Sequence, residues 1–199
     1  TVEDVALMLN VLDPAPPVDY TAMLNKDVRG LRIGVPVAAL EGAEPGVARA
    51  FMQAVEALRA AGCEVVQTDL PTKEDFDLAV LMGLVVSRCE AAAYHTAFGE
   101  RRSLYDTVAV AEQLDEAGRV SAVAYLQAQR AREDLRTRML AAMAEYDAFL
   151  MPTTRVAAPK SSEVDQYFLV LSQNCILWSF IGFPVISVPC GWTTEHLPV

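Results

Sequence analysis

The sequence predicts an α/β fold with a mixed, mostly parallel sheet flanked by helices. Strand, helix and strand patterns follow one another from Leu31 to Thr68, within about forty residues, the spacing of a βαβ unit. Further strand patterns at 146–153 and 185–188 alternate with helix-period segments, which gives four strands interleaved with helices. Hydrophobic residues make up 53% of the 199 and charged residues 21%, a balance that favours a packed core over disorder. Four strands are few for a doubly wound sheet, so the pattern predicts a sheet that lacks an edge.

The elements follow from local chemistry. Thr1 suits an N-cap for a helix over 1–12. Glu3 and Asp4 sit at the positive end of its dipole, and Val5, Met8, Leu9 and Leu12 form its apolar face. Asp13-Pro14-Ala15-Pro16-Pro17 ends that helix in a stiff connection. Leu31 to Pro36 reads as a strand stopped by its proline. Glu44-Pro45-Gly46 opens a helix whose Val47, Ala50, Phe51, Ala54, Val55, Leu58 and Ala61 recur at three- and four-residue steps. Gly62 is placed to end it, and Cys63 to Thr68 is the second strand. Residues 73–99 are helical in composition, a short helix is expected over 108–114, and the longest runs over 121–143. Tyr146 to Thr153 is the third strand, 157–162 a loop and 167–179 an apolar helix. Val185 to Val188, fenced by Pro and Gly on both sides, reads as a fully buried fourth strand.

Composition excludes some partners. A net charge of −10 disfavours non-specific binding to nucleic acid or anionic lipid. No apolar run reaches the length of a membrane span, and Thr1-Val2-Glu3-Asp4 has no basic region of the kind that opens a signal peptide. Cys63, Cys89, Cys175 and Cys190 are scattered without a C-x-x-C spacing. They read as buried free thiols of a cytoplasmic protein rather than a disulfide frame or metal site.

The run GFPVISVPCGW, from Gly182 to Trp192, resembles the closing segment of the amidase signature family, G-(L/F)-P-A-(I/L)-S-V-P-C-G. The resemblance continues in family order along the chain. Thr1 to Leu9 is similar to the helix after the family's signature region, and Gly30 to Pro36 to its G-(L/M)-R-I-G-V-P. Pro71 with Glu90-Ala91-Ala92 resembles its L-P … E-A region. Tyr125-Leu126-Gln127-Ala128 with Arg132 resembles its Y-L-x-A-x-x-x-R helix. Tyr146-Asp147 with Pro152-Thr153 resembles Y-D-x-(L/I)-(L/V)-x-P-T, and Asn174 the Asn of R-N-T. Gln173 and Cys175 stand where Arg and Thr are common, and Ser179 where an Asn is common. Glu195-His196-Leu197-Pro198-Val199 stands where D-G-L-P-V is usual, so His196 occupies a position at which Gly serves a backbone of positive φ.

The resemblance implies that residues 1–199 form a single partial domain, the C-terminal portion of an amidase domain. Family members hydrolyse amides with a Ser nucleophile, a bridging Ser and a Lys base, none of which has a match here, so no catalytic residue is assigned. The implied function is part of a hydrolase that cleaves a carboxamide carbon–nitrogen bond through an acyl-enzyme. Two alternatives stand beside it: the amidase subunit of a tRNA-dependent amidotransferase, and an inactive α/β binding or scaffold module. The implied partner is a small-molecule amide, without nucleic acid, membrane or cofactor. An incomplete sheet would favour a homodimer.

Candidate residues separate on their chemistry. Lys160 beside Ser161 and Ser162 lies on a polar loop, where a Lys stays charged and is no base; Lys26 and Lys73 have similar contexts. Glu90 and His95 lack the spacing and the third ligand of a metal site. Cys190 has no basic neighbour in sequence, and the arginines at 119, 130, 132, 136 and 138 read as a solvated helix face balanced by acids. Ligands of α/β folds bind beyond the C-terminal ends of strands, which nominates Met151, Thr153 and Thr154 after the third strand, and Cys190 and Trp192 after the fourth. The resemblance adds Tyr94 and Tyr105, in a variable region that shapes the pocket, and Asn174 as a brace. The substrate-binding set is therefore Tyr94, Tyr105, Thr153, Asn174 and Trp192.

Overall fold

A computed structural model describes residues 1–13, 19–99 and 108–199. Its elements, in order, are α1 (Val2–Leu12), β1 (Arg32–Pro36), α2 (Pro45–Ala60), β2 (Glu64–Thr68), α3 (Lys73–His95), α4 (Val108–Ala117), α5 (Ala122–Met143), β3 (Ala148–Phe149) and α6 (Val164–Ile181), with 3₁₀ turns at Tyr20–Met23 and Val37–Leu40. The sheet is parallel in strand order β2-β1-β3. Ile33 pairs with Val65 on one side and with Ala148 on the other.

The helix ends follow cap chemistry. Thr1 accepts from the Asp4 amide, and the Asp4 carboxylate in turn takes the Thr1 nitrogen, a capping box. Thr72 and Asp75 repeat that box on α3. Pro45 sits in the first turn of α2, where its missing N–H costs nothing. Gly182 closes α6 at φ 71°, a left-handed conformation that a Cβ would strain.

Two apolar clusters organise the molecule. Ile33, Val35, Phe51, Val55, Cys63 and Val65 pack α2 onto β1 and β2. The larger cluster holds α3, α5 and α6 together through Phe76, Ala79, Val86, Ala128, Leu135, Met139, Leu177 and Ile181. Gly83 lets α6 approach α3: a Cβ there would lie 3.2 Å from Ile176 Cγ2 and 3.5 Å from Phe180. Asp75 is buried at the junction, where its carboxylate takes Arg138 Nη2 at 2.6 Å.

Two expectations need correction. The fourth strand is not a strand: residues 184–189 are extended, but their backbone N–H groups have no partner among the described residues, and Val185, Ile186 and Val188 are exposed. An apolar run fits a covered pleat, but a ladder needs a neighbour, and no described strand lies beside it. The third strand, expected over 146–153, pairs only at Ala148 and Phe149; β1 runs on to Pro36, but a proline nitrogen has no N–H with which to extend the ladder. The α/β class and the mostly parallel sheet flanked by helices are as expected: both described strand pairs are parallel, and the antiparallel bridge of Trp192 with Pro198 lies outside the sheet. The apolar face of α1 likewise has no cover among the described residues: only Ala6 is buried there, while Val5, Met8, Leu9 and Leu12 are exposed. The stiff connection after α1 lies largely outside the described residues.

Candidate functional site

The chain leaving β3 runs beside α6 and the extended segment after Gly182, and a cavity of about 390 Å³ opens between them. Its floor and walls are apolar: Met143, Phe149, Met151, Trp178, Phe183 and Val185. The aromatic rings are fixed by one another, with Phe149 5.7 Å and Phe183 6.0 Å from Trp178, and Trp178 Nε1 donates to Met151 Sδ at 3.2 Å. Polar groups gather at one side. The Thr153 and Ser187 hydroxyls share a hydrogen bond of 2.8 Å, and Cys175 Sγ donates to the Thr153 carbonyl at 3.3 Å. The site combines an apolar body with a few convergent polar groups, the usual make-up of a small-ligand pocket.

Asn174 is the buried link behind that polar side. Its Nδ2 donates to the carbonyls of Ala39, at 3.1 Å, and Pro152, at 2.9 Å, and its Oδ1 accepts from Arg155 Nε at 3.1 Å. One amide therefore ties α6 to the turn after β1 and to the chain after β3. Arg155 Nη2 donates to the Ala38 carbonyl at 3.0 Å, and the guanidinium carbon lies 5.8 Å from the Phe76 ring centre.

The cavity brings together two of the five predicted substrate-binding residues, Thr153 and Asn174. Tyr94 is exposed, with ring contacts to His95 and Phe98, and does not line the cavity. Trp192 is exposed beside its bridge to Pro198, also outside the lining. Tyr105 lies outside the described residues. Of the other nominations, Met151 is in the wall, Thr154 turns to the Val156 carbonyl at 2.7 Å, and Cys190 is tied through its N–H to the Val199 carbonyl. Burial pushes the thiols of both Cys175 and Cys190 up, which keeps them protonated and weak as nucleophiles.

Sequence reasoning missed Ser187 and Cys175 in the lining and Arg155 behind it. Arg155 stands in a loop with no periodicity to mark it as buried. Ser187 sits in a run that reads as a covered strand. Cys175 follows Asn174 directly, and that adjacency is the signal which could have found it. No group of three or more His, Cys, Asp or Glu able to hold a metal is found among the described residues. Among them, too, no Lys Nζ is hydrogen-bonded to a Ser hydroxyl; Lys73 is taken by Asp77.

Fold and cavity together define an α/β protein with a largely apolar cavity beside the carboxyl end of β3, where ligands of α/β folds bind. The family is set by comparison: the family model described as Amidase matches residues 1–199, and the chain belongs to that family. An amidase from Pseudomonas putida is 31% identical over 218 residues, which cover 99% of this chain and 46% of that protein. A glutamyl-tRNA(Gln) amidotransferase subunit from Chloroflexus aggregans is 31% identical over 242 residues, covering 100% and 48%. The crystal structure of a bacterial aryl acylamidase of the amidase signature family superposes with a TM-score of 0.78 at 21% identity, over 100% of this chain and 46% of that one. The chain thus spans about half the length of the curated relatives it matches.

Proposed function

We propose that the protein cleaves a carboxamide carbon–nitrogen bond through a Ser–Lys acyl-enzyme, with the nucleophile and base supplied outside these 199 residues. The observation that supports this reading is the family match over 1–199 together with an apolar cavity that carries polar groups on one side. Residues 1–199 then form one part of an amidase domain, and their share of the work is the substrate pocket. Thr153 and Asn174 belong to that pocket directly; Tyr94 and Trp192, outside its lining, take no assigned part in it. In the reaction the Ser oxygen, relieved of its proton by the Lys amine, adds to the amide carbon. The tetrahedral oxyanion collapses, the nitrogen leaves with a proton, and water then releases the acid from the acyl-enzyme.

The test is a panel of aliphatic and aromatic primary amides given to the full natural chain, with ammonia release measured. Hydroxylamine added to the mixture should divert the acyl group to a hydroxamate, and intact mass should show a covalent acyl adduct. A chain that is inert across the panel and forms no adduct refutes the reading.

A second reading has an observation of its own. Relatives named as glutamyl-tRNA(Gln) amidotransferase subunits match the whole chain at about the same identity as the amidase. In that reading the ammonia passes to a partner protein. Co-purification with tRNA and a second polypeptide supports it; isolation as a homogeneous single component that releases free ammonia counts against it. The exposed apolar residues of α1 and of 185–188 favour the pairing of two copies, which native mass measurement decides.

A further inference from the structure

A buried cation stands behind the cavity without lining it. Arg155 is 7% exposed, and among the described residues no carboxylate oxygen lies within ion-pair distance of it. Burial pushes its pKa down, and the more distant charges of Glu41 and Asp77 oppose that effect. A guanidinium nonetheless stays protonated and offers only donors. It therefore decides which end of the Asn174 amide faces it: Oδ1 toward Arg155, Nδ2 toward the Ala39 and Pro152 carbonyls.

That choice sets a second direction. The Pro152–Thr153 peptide is trans, since the cis bond described is Leu70–Pro71. In a trans peptide the C=O and N–H point opposite ways. With the Pro152 carbonyl turned to Asn174, the Thr153 N–H points away from Asn174, and it has no acceptor among the described residues. The next carbonyl, that of Thr153, is held by Cys175. Asn174 and Cys175, consecutive on α6, thus anchor two consecutive carbonyls and leave the N–H between them fixed and unspent. Thr153 is in the cavity lining.

We propose that the Thr153 peptide N–H donates to the carbonyl oxygen of an amide bound in this cavity, and that Arg155, acting through Asn174, is the positioning residue that aims it. The proposal rests on the reading of the cavity as the seat of an amide. A donor held in place before the ligand arrives costs no reorganisation on binding, which is what a buried cation behind the amide relay secures.

The probes are benzamide, which carries the carbonyl, and toluene, which fills apolar space without it. Both are titrated into the full natural chain labelled with ¹⁵N-threonine and ¹⁵N-tryptophan. Benzamide should move the Trp178 indole signal and shift the Thr153 amide proton downfield; toluene should move Trp178 alone. In Arg155→Met, benzamide affinity should fall about tenfold, the loss of roughly one hydrogen bond, with toluene affinity unchanged. Arg155→Lys, which keeps a donor for Asn174, should recover part of the loss. Equal loss for both probes would mean that Arg155 serves only the fold, and would overturn the positioning role. Benzamide that moves Trp178 but leaves the Thr153 amide in place overturns the donor while the cavity reading stands. Benzamide that moves neither overturns the cavity reading and the donor with it. The wild-type titration decides the donor even if Arg155→Met does not fold.

Discussion

The Arg155–Asn174 pair offers the sharpest test of how this part of the molecule is held. Asn174→Ala removes one acceptor and two donors in one step. It leaves Arg155 Nε, the Ala39 carbonyl and the Pro152 carbonyl without their partner in a buried place. Each stranded buried group costs about 1–3 kcal/mol, with the lower end apt for carbonyls that keep a second lone pair for water. The sum, about 3–5 kcal/mol, is a large part of the 5–15 kcal/mol or so that a domain of ordinary stability has. Arg155→Met alone removes the cation together with its desolvation cost, so about 1–3 kcal/mol is expected. The two changes should not add. The bond between them is charge-assisted, worth about 1.5–3 kcal/mol, and it is lost once in either single variant. The double variant should therefore be less destabilised than the sum of the two singles by roughly that amount. Guanidinium denaturation of the four proteins, followed by Trp fluorescence, gives the cycle. Additivity within about 0.5 kcal/mol would refute the claim that the pair acts as a unit.

Other expectations can be checked with the same material. Gly34→Ala would place a Cβ 2.6 Å from two carbons of the Phe149 ring, so the ring must move toward the cavity it lines; a cost of about 1–3 kcal/mol and weaker toluene binding are expected, by denaturation and titration. Arg138→Met strands the buried Asp75 carboxylate, and since Arg138 itself is half exposed the loss should be about 1–3 kcal/mol, below that of a fully buried pair. His196 has φ 59°, so His196→Gly should stabilise by about 0.5–1 kcal/mol, the relief of left-handed strain less the entropy of a freer unfolded chain; a lower midpoint would contradict it. Burial raises the Cys175 pKa, so at a given pH less of it is thiolate: iodoacetamide should label it more slowly than a free thiol at about pH 8.5, and the rate should still climb above the pH at which the free thiol levels off. The same sign makes Cys175 a stabilising group below the pKa of the unfolded thiol, a contribution lost as pH rises through the folded value.

What the sequence determined was local and periodic. The Thr1 cap of α1, the Pro45 start and Gly62 end of α2, and the pairing of β1 with β2 follow from residues close to one another in the chain, whose chemistry acts over one turn or one crossover. The family was legible for a different reason, an ordered series of short motifs whose joint occurrence no composition explains. His196 belongs here too: its left-handed backbone is expected from the Gly that usually stands there, and φ 59° agrees. Tertiary structure decided what depends on a neighbour from far along the chain. Val185 to Val188 has every property of a buried strand except a partner, and without one it lies exposed. Strand ends and motif nominate Thr153 and Asn174, but that one amide ties three segments together depends on residues 22 and 135 positions away, Pro152 and Ala39. Arg155 is invisible in the sequence for the same reason. A charged loop residue is solvated by default, and only the carbonyl of Ala38, the amide of Asn174 and the ring of Phe76, gathered from three elements, make its burial possible.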